Sequence, residues 1–165
     1  MRVLVAVASK YGATAELGQA IADTLTEASV DATFARLEHD PPADGYDAVV
    51  VGSAVYAGHW LKAAREWVER NGQQLAAVPV WLFSSGPVGD PPMPGEETLN
   101  LAEISASTGA LGHGYFSGKL ERSGLKFTDK AIAAALRVPD GDFRDFDAVR
   151  VWADGIAQTL RQPAA

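Results

Sequence analysis

Ser9, Lys10, Tyr11, Gly12, Ala13 and Thr14 gather two hydroxyls, an amine, a phenol and a glycine into six consecutive positions. The chemistry that suits such a set is anion binding. Hydroxyls donate to oxygen, and a glycine lets the backbone approach a ligand closely. A helix starting here presents unpaired N–H groups and the positive end of its dipole. The dipole stabilises one charge placed there by about 0.3 to 2 kcal/mol, and hydrogen bonds add to this. The loop suits a monophosphate. Triphosphate loops need G-x-x-x-x-G-K-[ST] and dinucleotide loops need G-x-G-x-x-G, and neither pattern occurs at this joint. The plainer alternative is an ordinary capped turn between a strand and a helix.

A second group follows at Ser53, Ala54, Val55, Tyr56, Ala57, Gly58 and His59, with Trp60 next. Tyr56, His59 and Trp60 around a glycine offer ring faces on which a flat aromatic ligand can stack. An offset pair is worth about 0.5 to 1.5 kcal/mol beyond area burial. The alternative puts Trp60 in the core as the start of a helix and leaves His59 exposed. A third group, Ser84, Ser85, Gly86, Pro87, Val88 and Gly89, lies at the end of another apolar run. It lacks the G-x-S-x-G elbow of a hydrolase nucleophile. His39, His59 and His113 have no carboxylate pair at ligand spacing beside them, so no metal site is expected.

The elements that must position these groups can be read from hydropathy. Val3 to Ala8 is apolar on both faces, as a central parallel strand covered by helices must be. Leu17, Ile21 and Leu25 recur every four residues and predict a helix from Thr14 to about Leu25. Strands are expected at Val30–Leu37, Asp47–Ser53, Val78–Ser84 and His113–Leu120. Helices are expected at Leu61–Asn71, Glu96–Ser107, Thr128–Arg137 and Asp145–Arg161, the last capped by Asp145. Residues 85 to 95 hold four prolines and three glycines and read as loop. Strands alternating with helices imply an α/β fold in three layers, a doubly wound five-stranded parallel sheet. In such sheets a ligand sits beyond the carboxyl ends of the strands where strand order reverses, which brings Ser9–Thr14, Ala54–Trp60 and Ser84–Gly89 together.

With 165 residues, 47% hydrophobic and 21% charged, the chain is expected to form a single domain spanning 1–165. A net charge of −7 without basic runs argues against nucleic acid or anionic lipid as a partner. There is no cysteine, which removes disulfides, thiolate metal sites and thiol nucleophiles. The N-terminus enters a strand directly with no signal pattern, and no apolar stretch is long enough to span a bilayer. A cytoplasmic location is the expectation. The acidic group Asp90, Glu96 and Glu97 reads as a rim beside the ligand or as solvated loop charge.

The segments "ASKYGATAELGQAIADTL", "YDAVVVGSAVYAGHW", "FSGKL" and "DFRDFDAVRVWADGIA" resemble the flavodoxin family. Within it they are most similar to the branch that includes bacterial menaquinone-linked protoporphyrinogen oxidase. The resemblance implies the strand order 2-1-3-4-5 and FMN as cofactor. Ser9–Thr14 would then hold the phosphate, Ser53–His59 would line the isoalloxazine near its N5 atom, and Ser84–Gly89 would edge the pyrimidine. It also implies redox chemistry, with a partner protein, a small molecule or a quinone as acceptor. The readings it leaves open are an oxidoreductase, a quinone reductase, a soluble electron carrier and a protein that keeps the fold without the flavin. Two departures stand out. Electron-carrier flavodoxins usually cover the second flavin face with an aromatic from the loop after the fourth strand, and "SSGPVGD" has none. The oxidase branch carries a longer, basic and apolar segment before its last helix, whereas Glu121 to Phe143 is shorter and mixed in charge.

Overall fold

Alternation along three buried strands divides the interior into two cores. The computed structural model describes residues 1–88 and 95–163. Its first strand, β1 (Arg2–Ala8), sends Val3, Val5 and Val7 to one face and Leu4, Ala6 and Ala8 to the other, all fully buried. Side chains alternate across a strand with period two, so an unbroken apolar run is the signature of a sheet covered on both faces. Beyond β1 come α1 (Ala13–Glu27), β2 (Asp31–Arg36), β3 (Ala48–Tyr56), β4 (His59–Trp60), α2 (Lys62–Arg70), α3 (Gly72–Ala76), β5 (Val80–Ser85) and α4 (Ala102–Thr108). The chain continues through β6 (Gly112–Phe116), β7 (Lys119–Leu120), α5 (Phe127–Ala135) and β8 (Gly141–Asp142) to α6 (Phe146–Arg161).

The sheet order is β2-β1-β3-β5-β6, every neighbour parallel, with the two-residue β4 paired antiparallel to the end of β3. Counted without β4, this is the expected order 2-1-3-4-5. One core collects Val3, Val50 and Phe83 under Leu17, Ile21 and Leu25 of α1 and Val149, Ala153 and Ile156 of α6. The other collects Leu4, Val51 and Leu82 under Ala64, Trp67 and Val68 of α2 and Leu75 of α3. Each fully buried Leu or Val contributes about 1.5 to 3 kcal/mol. As expected, Asp145 caps α6, its Oδ1 accepting from the Ala148 N–H at 3.1 Å.

Several boundaries differ from the hydropathy reading. The strand expected to stop at Ser53 runs on to Tyr56 and turns back as β4, so residues 53–60 are a hairpin rather than an open loop. Ala57 and Gly58 have φ of 51° and 79°, the pair of positive values a tight two-residue hairpin turn demands. The strand expected at His113–Leu120 ends at Phe116, and Lys119–Leu120 pairs instead with Gly141–Asp142 in a separate two-stranded ribbon. The Glu96–Ser107 helix divides into a 3-10 turn at Glu96–Thr98 and α4. Asn71-Gly72 ends α2 but also starts α3.

Candidate functional site

At the carboxyl ends of β1, β3 and β5 the chain encloses a cavity of about 550 Å³, within the usual size range of small-molecule sites. Strand order reverses here: the chain leaves β1 for β2 on one side and returns to β3 on the other. The loops after β1 and β3 therefore diverge and leave room between them.

The first wall is the joint between β1 and α1. Gly12 is the N-cap of α1 with φ 90°, no side chain caps the helix, and a Cβ built on Gly12 would meet nothing within 4 Å. The first intrahelical bond is Glu16 N–H to Gly12 carbonyl, so the N–H groups ahead of it have no helical partner. Ser9 Oγ accepts from the Gly12 N–H at 3.1 Å and shapes the turn. Ser9 and Thr14 are both 4% exposed, and both line the cavity with Lys10, Tyr11 and Ala13.

Two residues beyond the reach of the sequence reading hold this turn from behind. The Ser9 N–H donates to Glu38 Oε1 at 2.9 Å, and Arg36 Nη2 donates to the Ser9 carbonyl at 2.8 Å. The bond from Ser9 and the Arg36 guanidinium outweigh partial burial and keep the Glu38 carboxyl below its ordinary range. From the other side Arg144, its side chain only 6% exposed, donates to the Ala13 carbonyl at 3.2 Å and pairs with Glu16 at 2.5 Å. The same guanidinium grips Asp142 with two bonds of 2.9 Å, which holds the Asp142 carboxyl down to about 2.

The second wall is the β3–β4 hairpin, which contributes Ala54, Val55, Tyr56 and Ala57 to the cavity. Trp60 is 2% exposed and part of the core, its indole N–H donating to Ser84 Oγ at 2.7 Å. Tyr56 is thus the hairpin aromatic that faces the cavity. Loss of hydration, reinforced by Tyr11 and Asp129, pushes its phenol up to about 12, so it stays neutral and able to donate. Ser53 is buried and points away, accepting the Leu61 N–H at 3.0 Å. Gly58 and His59 also lie off the cavity.

Ser85, Gly86 and Val88 form the floor, whereas Ser84 and Pro87 do not reach the cavity and Gly89 lies outside the described residues. Ser84 joins a chain running from Trp60 through Ser84 to His113 Nε2 at 2.8 Å, and from His113 Nδ1 to Glu96 at 2.9 Å. Because Ser84 accepts from the indole, its own proton is free for Nε2, leaving Nδ1–H for Glu96. Fully buried, Ser84 is inaccessible as a nucleophile, and the chain serves to fix the hairpin. Glu96 sits on His113 beside a separate cleft of about 260 Å³, so of the two readings of this acidic group the rim of the main cavity does not hold for Glu96. Asp90 lies outside the described residues. Among those residues no group of His, Cys, Asp and Glu can hold a metal ion, and no helix is long and apolar enough to cross a membrane.

The third wall went unread. Gly118, Lys119 and Leu120 of the ribbon, Leu125, and Asp129, Ile132 and Ala133 of α5 close the cavity, with Leu136 and Val138 beyond. A helix was expected at Thr128–Arg137, and α5 spans Phe127–Ala135; nothing in the sequence shows that it folds over the other two loops.

The arrangement is a polar corner, with Ser9, Lys10 and Thr14, opening into a mostly apolar slot. A model of the flavodoxin domain family matches residues 4–147. Protoporphyrinogen IX dehydrogenase [quinone] of Escherichia coli K12 is 28% identical over 86 residues, 51% of this chain and 48% of that protein. The match thus spans about half the length of this curated relative. Among solved structures, rubredoxin:oxygen oxidoreductase from Desulfovibrio gigas superposes with TM-score 0.65 at 14% identity, covering 97% of this chain and 36% of that one. An archaeal flavodoxin superposes with TM-score 0.62 at 18% identity, covering 98% and 100%. With this sheet order and a family match over most of its length, the chain belongs to the flavodoxin domain family, whose cofactor is FMN.

Proposed function

We propose that the chain is an FMN-dependent oxidoreductase whose flavin lies in the cavity between the β1–α1 joint, the β3–β4 hairpin and α5. The observation that carries this reading is the pairing, in one cavity, of an uncapped helix N-terminus at Gly12 with an apolar slot. The open space at Gly12 and the buried Ser9 and Thr14 hydroxyls fit a phosphate. The aliphatic slot with Tyr56 on one side fits an isoalloxazine. When bound, the flavin supplies the redox chemistry, and the protein's part is to bind, orient and exclude water.

In this reading Ser9, Gly12, Ala13 and Thr14 take the phosphate, with Lys10 as a nearby positive charge and Tyr11 at the rim. Ala54 to Ala57 present backbone groups and the Tyr56 ring to one flavin face. The hairpin cannot drift, because Trp60 is tied to Ser84 and the Gly58 carbonyl accepts the Asn100 N–H at 2.9 Å. Ser85, Gly86 and Val88 bound the pyrimidine end. The segment after β5, "SSGPVGD", carries no aromatic to stack on a second flavin face, and the cavity lining includes the aliphatic Leu120, Leu125 and Ile132. A flavin face without a stacked aromatic is one a substrate can reach once α5 moves aside, which favours an oxidoreductase over a pure carrier. A half-length relationship to a quinone-linked dehydrogenase supports an apolar acceptor and protoporphyrinogen as the donor to try first.

The test is anaerobic turnover of the FMN-loaded protein with protoporphyrinogen IX as donor and menadione as acceptor. Saturable turnover above that of free FMN is expected. Turnover no faster than free FMN with this pair, and with NADH in place of the porphyrinogen, would overturn the enzymatic reading. The electron-carrier reading, which the net charge of −7 favours, would then stand.

A further inference from the structure

The polar corner of the cavity already holds an anion. Asp129, on the first turn of α5, sets its carboxylate 2.5 Å from Lys10 Nζ and accepts a bond from the Tyr11 hydroxyl. Tyr11 in turn accepts the Lys126 N–H at 3.3 Å. Lys10 Nζ stands 5.5 Å from the ring centroids of both Tyr11 and Tyr56. The amine of one loop, a phenol of that loop and the hairpin tyrosine thus converge where a helix from a distant part of the chain delivers a negative charge. The carboxylate lines the same cavity as Ser9, Ala13 and Thr14.

The helix that carries it is thinly attached. Ala133 is its one buried residue, while Phe127, Ile132 and the following Leu136 are 87%, 52% and 70% exposed. Ile132 and Leu136 nevertheless line the cavity, so α5 lies across its mouth with one apolar side against the slot and part of it in water. Segments with few buried contacts open at low free-energy cost. The contacts of Asp129 with Lys10 and Tyr11, together with the Lys126 N–H bond to Tyr11, tie the first turn of α5 to that corner.

Resting on the flavin reading above, we propose that Asp129 competes with the phosphate for Lys10, and that α5 is a lid it latches beside the phosphate corner. A phosphate dianion and the Asp129 carboxylate share Lys10 only against like-charge repulsion, so FMN binding opposes the Lys10–Asp129 contact. The surrounding charges agree: Lys10 is raised and Asp129 lowered by their mutual bond, so both are ionised at neutral pH. Asp129 then selects among ligands, opposing those that bring a phosphate and leaving those without one nearly unaffected.

The experiment titrates FMN and riboflavin against the full chain and against Asp129→Asn, with circular dichroism to verify that both are folded. Asn keeps the size and removes the charge, and the residue lies on an exposed helix. Lys10→Gln serves as a second variant that breaks the latch from the other side. Asp129→Asn is expected to tighten FMN at least tenfold and riboflavin less than threefold, and to speed amide exchange of residues 127–135 in the flavin-free protein. Lys10→Gln is expected to speed the same exchange while weakening FMN. Equal shifts for both flavins, no shift, or weaker FMN binding by Asp129→Asn would overturn the latch while leaving the flavin site intact. Failure of all folded forms to bind either flavin would overturn the flavin reading, and the latch with it.

Discussion

At the scale of single residues, the six positions from Ser9 to Thr14 carry the proposed phosphate site. A hydrogen bond to a charged group is worth about 1.5 to 3 kcal/mol. Thr14→Ala is therefore expected to weaken FMN by about tenfold to a hundredfold and riboflavin little, as measured by flavin fluorescence quenching. Gly12→Val adds the strain of a left-handed backbone, about 1 to 2 kcal/mol, and should compromise the same ligand selectively. Trp60→Phe is predicted to cost about 1 to 3 kcal/mol in chemical denaturation, since it removes the bond to buried Ser84 and leaves space in the core. The polar joint was legible because its chemistry is contiguous. Its supports were not: Arg36, Glu38, Asp129 and Arg144 reach it from 27 to 131 positions away. Their residue types alone give no hint of a partner. Trp60 shows the same limit, since a tryptophan after a tyrosine and a glycine suits a stacking face or a core equally well.

At the scale of elements, hydropathy located the strands that are buried on both faces and erred where pairing is local. β1 and β5 are continuous apolar runs and could be read directly. The β3–β4 hairpin was missed because its turn is Ala57-Gly58, and alanine with φ of 51° carries no turn signature. The break after Phe116 was missed because Ser117-Gly118 separates two strands that belong to different sheets. The ribbon and α1 are held together by Arg144, which makes a pH prediction. Asp142 stays ionised down to about 2, below its ordinary 3.8. A lowered carboxyl contributes stability above its unfolded value, and that contribution is lost as pH falls from there through the folded value. Wild type should exceed Asp142→Asn in thermal stability at pH 5 to 7, and the two should converge as pH falls from about 4 towards 2. A constant difference across that range would assign the bonds of Arg144 no electrostatic role.

At the scale of the whole molecule, the doubly wound order follows from the two separate cores, and the site follows from that order. The central strand is buried by the two helical layers, Val3 to Ala8 being 0% exposed, and its packing partners are side chains of the two cores. Removing FMN should therefore leave the helix and sheet content unchanged in far-ultraviolet circular dichroism, while the cofactor adds stability in proportion to its occupancy. Among the described residues, the covering segment from Lys119 to Asp142 has no strand paired to the central sheet, β7 and β8 pairing only with each other. It was also the part least legible in the sequence, for its short ribbon and exposed helix carry weak periodicity and gain meaning only from what they cover. The measurement that bears most directly on the flavin site is the visible absorption spectrum of the purified chain after loading with FMN and exhaustive dialysis. A retained flavin spectrum at about one FMN per chain, lost in Thr14→Ala under the same dialysis, is the predicted result. A folded wild-type protein that emerges colourless would contradict the cavity as an FMN site and the redox function built upon it.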